Sequence, residues 1–124
     1  MKISSGKGRT KVTIEARILG NDLLISLYGG TKPHIGAVAL SVTRRSLKNR
    51  KKKSASTSIL TLTGHKDDLI AKSVAEKVST ELGRNVVVAA GVHIEKAKDE
   101  EILKIIEESE KCADKIIRRF TSMK

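Results

Sequence analysis

Lys11-Val12-Thr13-Ile14-Glu15-Ala16-Arg17-Ile18 alternates polar and apolar residues without a break, the period of a β-strand with one wet and one buried face. Gly20-Asn21-Asp22 follows with residues that tolerate positive φ, so Leu23 to Tyr28 is predicted to return as the second strand of a hairpin. Gly29-Gly30-Thr31-Lys32-Pro33 ends that strand. Ile35 to Thr43, rich in Val, Ala and Leu, predicts a third strand, and Ala55 to Thr63, rich in Thr, Ser, Ile and Leu, a fourth. Between them, Arg44 to Lys53 has nothing to bury and is predicted as an exposed basic loop.

The period changes after Gly64. Ile70, Ala71, Val74, Ala75, Val78 and Leu82 recur every three or four residues, with Asp67 and Asp68 in the first turn and Gly83 placed as a C-terminal cap, which predicts a helix. Val86 to Glu95 is apolar on both alternating faces and predicts a strand buried on both sides, central or covered. A last helical stripe runs from Ile102 to Phe120, with Asp99 as its N-cap and Arg118 and Arg119 near its C-terminal end. The expected fold class is α+β: an antiparallel β-meander followed by α-β-α, in two layers, as a single domain over residues 1–124. A sheet left open in this way has unpaired edges, so two copies are expected to associate through strand edges or the helical layer.

At 124 residues, with 39% hydrophobic and 31% charged residues, the chain suits one globular core and is too short for a multidomain enzyme. Tyr28 and Phe120 are its only aromatics, so the core must be aliphatic. No stretch reaches the roughly 18 apolar residues of a membrane span, and the N-terminus has no apolar segment of the secretory kind, so a cytoplasmic chain with no membrane partner is expected. Cys112 is the lone cysteine, which excludes an intrachain disulfide and a cysteine-based zinc site. The net charge is +11, and seven of those charges lie between Arg44 and Lys53. Such a run would bind nucleic acid through its phosphates, but the scarcity of aromatics removes base stacking. The run reads more simply as a solvated loop, and a small basic nucleic-acid-binding protein remains the alternative function.

Strand direction alone gathers the unusual residues. If each strand of the meander reverses the one before it, the Gly29–His34 connection, the Thr63-Gly64-His65-Lys66 junction and His93 all fall at one edge of the sheet, the top. His34, His65 and His93, the three histidines of the chain, thus converge there, and the basic run falls at the opposite edge. Neutral imidazoles in such a group can hold a divalent metal, whereas isolated histidines are ordinary structural residues. The Thr63–Lys66 junction joins a strand to a helix; its free N–H groups, Gly64 and Lys66 suit an anion, and equally an ordinary Thr cap. The glycines between Gly29 and Gly36 suit either a connection between strands or close approach to a flat ligand or a phosphate. The sequence has no nucleophile elbow, no cysteine in a Gly-rich turn and no carboxylate pair placed for acid–base work, so an enzyme is not expected and no catalytic residue is assigned.

Three ordered motifs, Gly29-Gly30-Thr31-Lys32-Pro33-His34-Ile35-Gly36-Ala37-Val38-Ala39, Ser56 to Asp68 (with Leu60-Thr61-Leu62-Thr63-Gly64-His65-Lys66) and Gly83 to Ile94 (with Val87-Val88-Ala89-Ala90-Gly91-Val92-His93), together resemble the prenylated-flavin chaperone family. These are the small D subunits that accompany gallate-type decarboxylases. The resemblance implies a proteasome-assembly-chaperone-like fold and a non-catalytic protein that holds or delivers prenylated FMN. It implies two partners, a flavin prenyltransferase and a decarboxylase catalytic subunit. Together with the top-edge reading it places cofactor binding on Gly29, Gly30, Lys32, Pro33, His34, Gly36, Thr63, Gly64, His65, Lys66, Gly91 and His93. The chain departs from the family pattern in its basic run and in Glu95, where the pattern leads one to look for Asp.

Overall fold

The computed structural model describes residues 1–45, 53–62 and 66–122. Strands β1 (Lys2–Ser5), β2 (Val12–Leu19), β3 (Asp22–Gly30), β4 (Ala37–Arg45) and β5 (Lys53–Thr61) precede helix α1 (Lys66–Leu82), strand β6 (Val86–His93) and helix α2 (Asp99–Ser122). The six strands form one mixed sheet in the order β1-β2-β3-β6-β4-β5.

The α+β class, one sheet backed by two helices, is the one expected. The uninterrupted meander is not. β6 enters between β3 and β4, parallel to the first and antiparallel to the second, so the sheet is a three-stranded meander and a hairpin joined by a central strand. The physical reason lies in the composition of β6: Val86, Val88, Ala90 and Val92 are fully buried against the helices, while Val87 and Ala89 are half-buried on the other side. A strand apolar on both faces leaves the least apolar area exposed in the middle of a sheet, where neighbours flank it on both edges. The expectation of burial on both sides holds for Gly91 and fails for Val87 and Ala89, because both helices lie on one face.

Other boundaries also shift. β1 escaped sequence reading because Lys2-Ile3-Ser4-Ser5 contains one apolar side chain, Ile3, which pairs with Ile14. β4 starts at Ala37 rather than Ile35, and Ile35 is 59% exposed. Pairing of β4 with β5 continues to Arg44–Ser54 and Arg45–Lys53, so the ends of the predicted basic loop are strand. The middle of that run, residues 46–52, lies outside the described residues. The N-cap of α2 is Lys98 rather than Asp99: Lys98 carbonyl accepts from the Glu101 and Ile102 N–H groups, and the Glu101 carboxylate accepts from Lys98 N–H at 3.0 Å. Gly83 caps α1 as expected, with φ of 65° and its N–H donating to Ser79 carbonyl.

The core lies between sheet and helices. Ile14, Leu23, Ile25 and Leu27 meet Val74 and Val78 of α1 and Ile105 and Ile116 of α2, all fully buried. Each such side chain contributes roughly 1.5–3 kcal/mol on leaving water. Cys112 belongs to this layer, and burial pushes its thiol up to about 11. One carboxylate is also buried there: Glu108 accepts from Ser5 Oγ and lies 3.2 Å from Lys111 Nζ and 3.4 Å from Lys104 Nζ. The Ser5 hydroxyl, ahead of the two lysines, holds its carboxyl below the ordinary value of 4.5.

Candidate functional site

The inserted strand explains the length of the connection between β3 and β4. Residues 31–36 must pass over the C-terminal end of β6, roughly two strand spacings or about 10 Å. They do so held by backbone bonds: Thr31 and Lys32 N–H donate to His93 carbonyl at 2.7 and 3.2 Å, and Gly36 N–H donates to Ala90 carbonyl at 2.8 Å. Leu62 N–H donates in turn to Gly36 carbonyl, which ties the end of β5 to the same crossing. The Thr31 hydroxyl accepts from Glu95 N–H.

The glycines of this region are occupied by the chain's own crossing. A Cβ on Gly91 would collide with the His34 carbonyl, one on Gly30, where φ is 80°, with the His93 carbonyl, and one on Gly36 with the Asp67 carboxylate. Gly29 likewise faces the Lys11 carbonyl. Of the two readings of the glycine-rich connection, these contacts match the structural one: they allow backbone to pass over backbone.

Asp67 is the residue whose role sequence reading missed. It is 2% exposed; Oδ1 accepts from Val92 N–H at 3.1 Å and Oδ2 lies 3.3 Å from His34 Nε2. Because β4 begins at Ala37, opposite Ala90, Val92 N–H has no strand partner on that side, and the carboxylate takes the place of one. A signal existed: Asp67 stands three, four and seven residues before Ile70, Ala71 and Val74, on the buried stripe of α1, whereas Asp68 is turned toward its own helix and accepts from Leu69 N–H.

Around this anchor the top edge carries Lys32, His34 and His93, which line a shallow cleft of about 320 Å³. The His34 and His93 rings meet edge to face with centroids 6.1 Å apart, and His93 Nε2 lies 3.4 Å from Glu95 Oε1. Lys66 begins α1 and is half-buried. Pro33 is exposed in the crossing segment. Convergence of His34 and His93 at one edge follows the sequence expectation; it depended on strand direction, which the insertion of β6 leaves unchanged. Thr63, Gly64 and His65 lie outside the described residues. Among the described residues no group of three His, Cys, Asp or Glu side chains is placed to hold a metal, so the three-histidine metal site has no structural support. Exposed apolar side chains also stand on the segments meeting here: Ile35 in the crossing, Leu62 after β5 and Leu69 in the first turn of α1 are 59%, 71% and 62% exposed.

The architecture places the chain in a class of assembly-chaperone folds. A solved structure titled as a novel chaperone complex for yeast 20S proteasome assembly superposes with a TM-score of 0.57 over 94% of both chains, at 13% identity. The family follows from sequence comparison: residues 6–121 match the model of the prenylated flavin chaperone LpdD-like domain, and the chain belongs to that family. It is 31% identical to Protein LpdD of Lactiplantibacillus plantarum over 78 residues, which are 63% of this chain and 54% of that protein. The chain therefore spans about half the length of that relative. No helix among the described residues is long and apolar enough to cross a membrane.

Proposed function

We propose that the protein is a non-catalytic carrier of prenylated FMN, receiving it from a flavin prenyltransferase and handing it to a decarboxylase subunit, with the phosphate-bearing end held at the top edge. The observation that carries this reading is the meeting of Lys32, His34 and His93 at one cleft in a chain of the prenylated-flavin chaperone family. A phosphate there would meet the Lys32 ammonium, with Lys66 as a second ammonium on the adjoining helix, beside the His34 ring anchored on Asp67 and the His93 ring facing Glu95. The cleft, about 320 Å³, is at the small end of ligand sites, which suits one end of a flavin nucleotide rather than the whole of it. Exposed Ile35, Leu62 and Leu69 offer apolar surface to the remainder.

The centre of this site differs from a phosphate seated on the N-terminus of α1. Asp68 already accepts from Leu69 N–H, so the described part of that terminus has an anion of its own. The bound group would supply the decarboxylation chemistry only in its acceptor; this chain's residues bind, orient and release it. Co-expression with a flavin prenyltransferase followed by purification tests the reading: the cofactor's near-ultraviolet and blue absorbance should travel with the protein. A colourless protein that also fails to bind added prenylated FMN would contradict it.

A further inference from the structure

The sheet face turned away from the helices carries two neighbouring cross-strand rows that complement each other. On β2, β3, β6, β4 and β5, one row reads Glu15, Ser26, Ala89, Val38, Leu60, and the next reads Arg17, Leu24, Val87, Leu40, Ser58. The row between them, from Ala16 to Ile59, points to the helices. Leu24 and Leu40 are 40% and 42% exposed although they sit on interior strands, and Leu60 on the edge strand β5 is 76% exposed.

We propose that this face is the interface of a symmetric dimer, with a two-fold axis running across the strands at the level of the middle row. An axis there sets the first row of one copy over the second row of the other. Glu15 then faces Arg17, Ser26 faces Leu24, Ala89 faces Val87 and Ser58 faces Leu60, so opposite charges meet and small side chains meet large ones at each of these positions. Val38 and Leu40 form the one pair of two larger groups. A hydrogen bond from Tyr28 Oη to Glu15 at 2.8 Å holds that carboxylate on the face. Leaving out the top end, where His34 lies over Gly91, about six residues per strand at ~3.3 Å per residue and ~4.8 Å apart present roughly 500 Å², below the ~800 Å² per partner of a standard interface and the size of a reversible one. The association surface moves from the strand edges and helical layer expected from sequence to the bare face. It does not depend on the flavin reading, since no residue of the cleft takes part.

Sedimentation equilibrium on the full chain tests it with three variants, Glu15→Arg, Arg17→Glu and the double exchange. The parent should sediment at twice the 13.5 kDa chain mass. Each single reversal sets like charges opposite each other twice per dimer and should weaken association at least about 10-fold, while the double exchange should restore it to within about threefold. Both positions are exposed, and far-ultraviolet circular dichroism spectra of the dissociated variants that match the parent's would show that folding is intact. A parent that remains at the chain mass up to about 100 μM, or a dimer whose dissociation constant none of the three variants moves, would overturn the proposal.

Discussion

The two ends of the sheet are built in different ways. At the bottom, β2 turns into β3, its neighbour in the sheet, through Gly20, with φ of 63° and open space where a Cβ would stand. At the top, the connection from β3 to β4 must cross a third strand, and every close approach it makes is backbone on backbone or backbone on Asp67. A tight turn needs only local conformation. A crossing needs glycines at the points of contact and a polar group to satisfy what the missing strand leaves open, and it leaves side chains such as Lys32, His34 and His93 on its upper surface. The difference teaches that the unusual residues gather where topology, rather than chemistry alone, demands them, and the cationic cleft is laid over that demand.

Substitutions separate the demand from the cleft, and the largest effect belongs to the crossing itself. Gly91→Ala forces a methyl into the His34 carbonyl and should lower stability by about 3 kcal/mol, read as a fall in denaturation midpoint with the slope unchanged. Gly20→Ala at the bottom meets no neighbour and bears only the strain of positive φ, so its cost should stay near 1 kcal/mol. Equal losses at the two glycines would erase the contrast between the two ends.

Asp67→Ala comes next. It strands the buried Val92 N–H and frees His34, and should cost about 1–3 kcal/mol. Asp67→Asn, which keeps an acceptor for that N–H, should recover more than half of the loss in the same melts.

Away from both ends, Glu108→Gln removes a buried charge held by Ser5, Lys104 and Lys111 and should cost about 1.5–3 kcal/mol at neutral pH. Its folded carboxyl titrates below the ordinary 4.5, so the contribution is fully present above that value and is lost as pH falls through the lower, folded one. The gap in melting temperature between parent and variant should therefore close on acidification. A gap that widens would reverse the sign of the argument. The smallest effect is expected from the basic run: replacing Lys51, Lys52 and Lys53 by Ser should change flavin affinity by less than about threefold, under 1 kcal/mol in a binding titration.

How much of this was legible depended on the range of the information. The period of Lys11–Ile18, the change of period after Gly64 and the cap at Gly83 are local, and the elements they announce are present. The gathering of His34 and His93 needed only alternating strand directions. The position of β6 did not follow, because its apolar character on both faces indicates a central place without choosing its neighbours, and consecutive strands usually pair. Without that insertion the glycines had no crossing to serve and Asp67 had no orphaned N–H to satisfy. Glu108 was likewise hidden: its partners Ser5 and Lys111 lie at opposite ends of the chain.

The phosphate is the group the cleft is proposed to hold, and its contribution can be measured directly. Calorimetric titration of the parent and of a Lys32→Ala/His93→Ala variant, each with prenylated FMN and with its dephosphorylated riboflavin counterpart, isolates that contribution. The parent should bind the phosphorylated cofactor at least about 10-fold more tightly, and the double variant should bind both forms with nearly the same, weaker affinity. A parent that binds the two forms equally, or a variant that keeps the full preference for the phosphate, would contradict the top-edge cleft as the place where the cofactor is held.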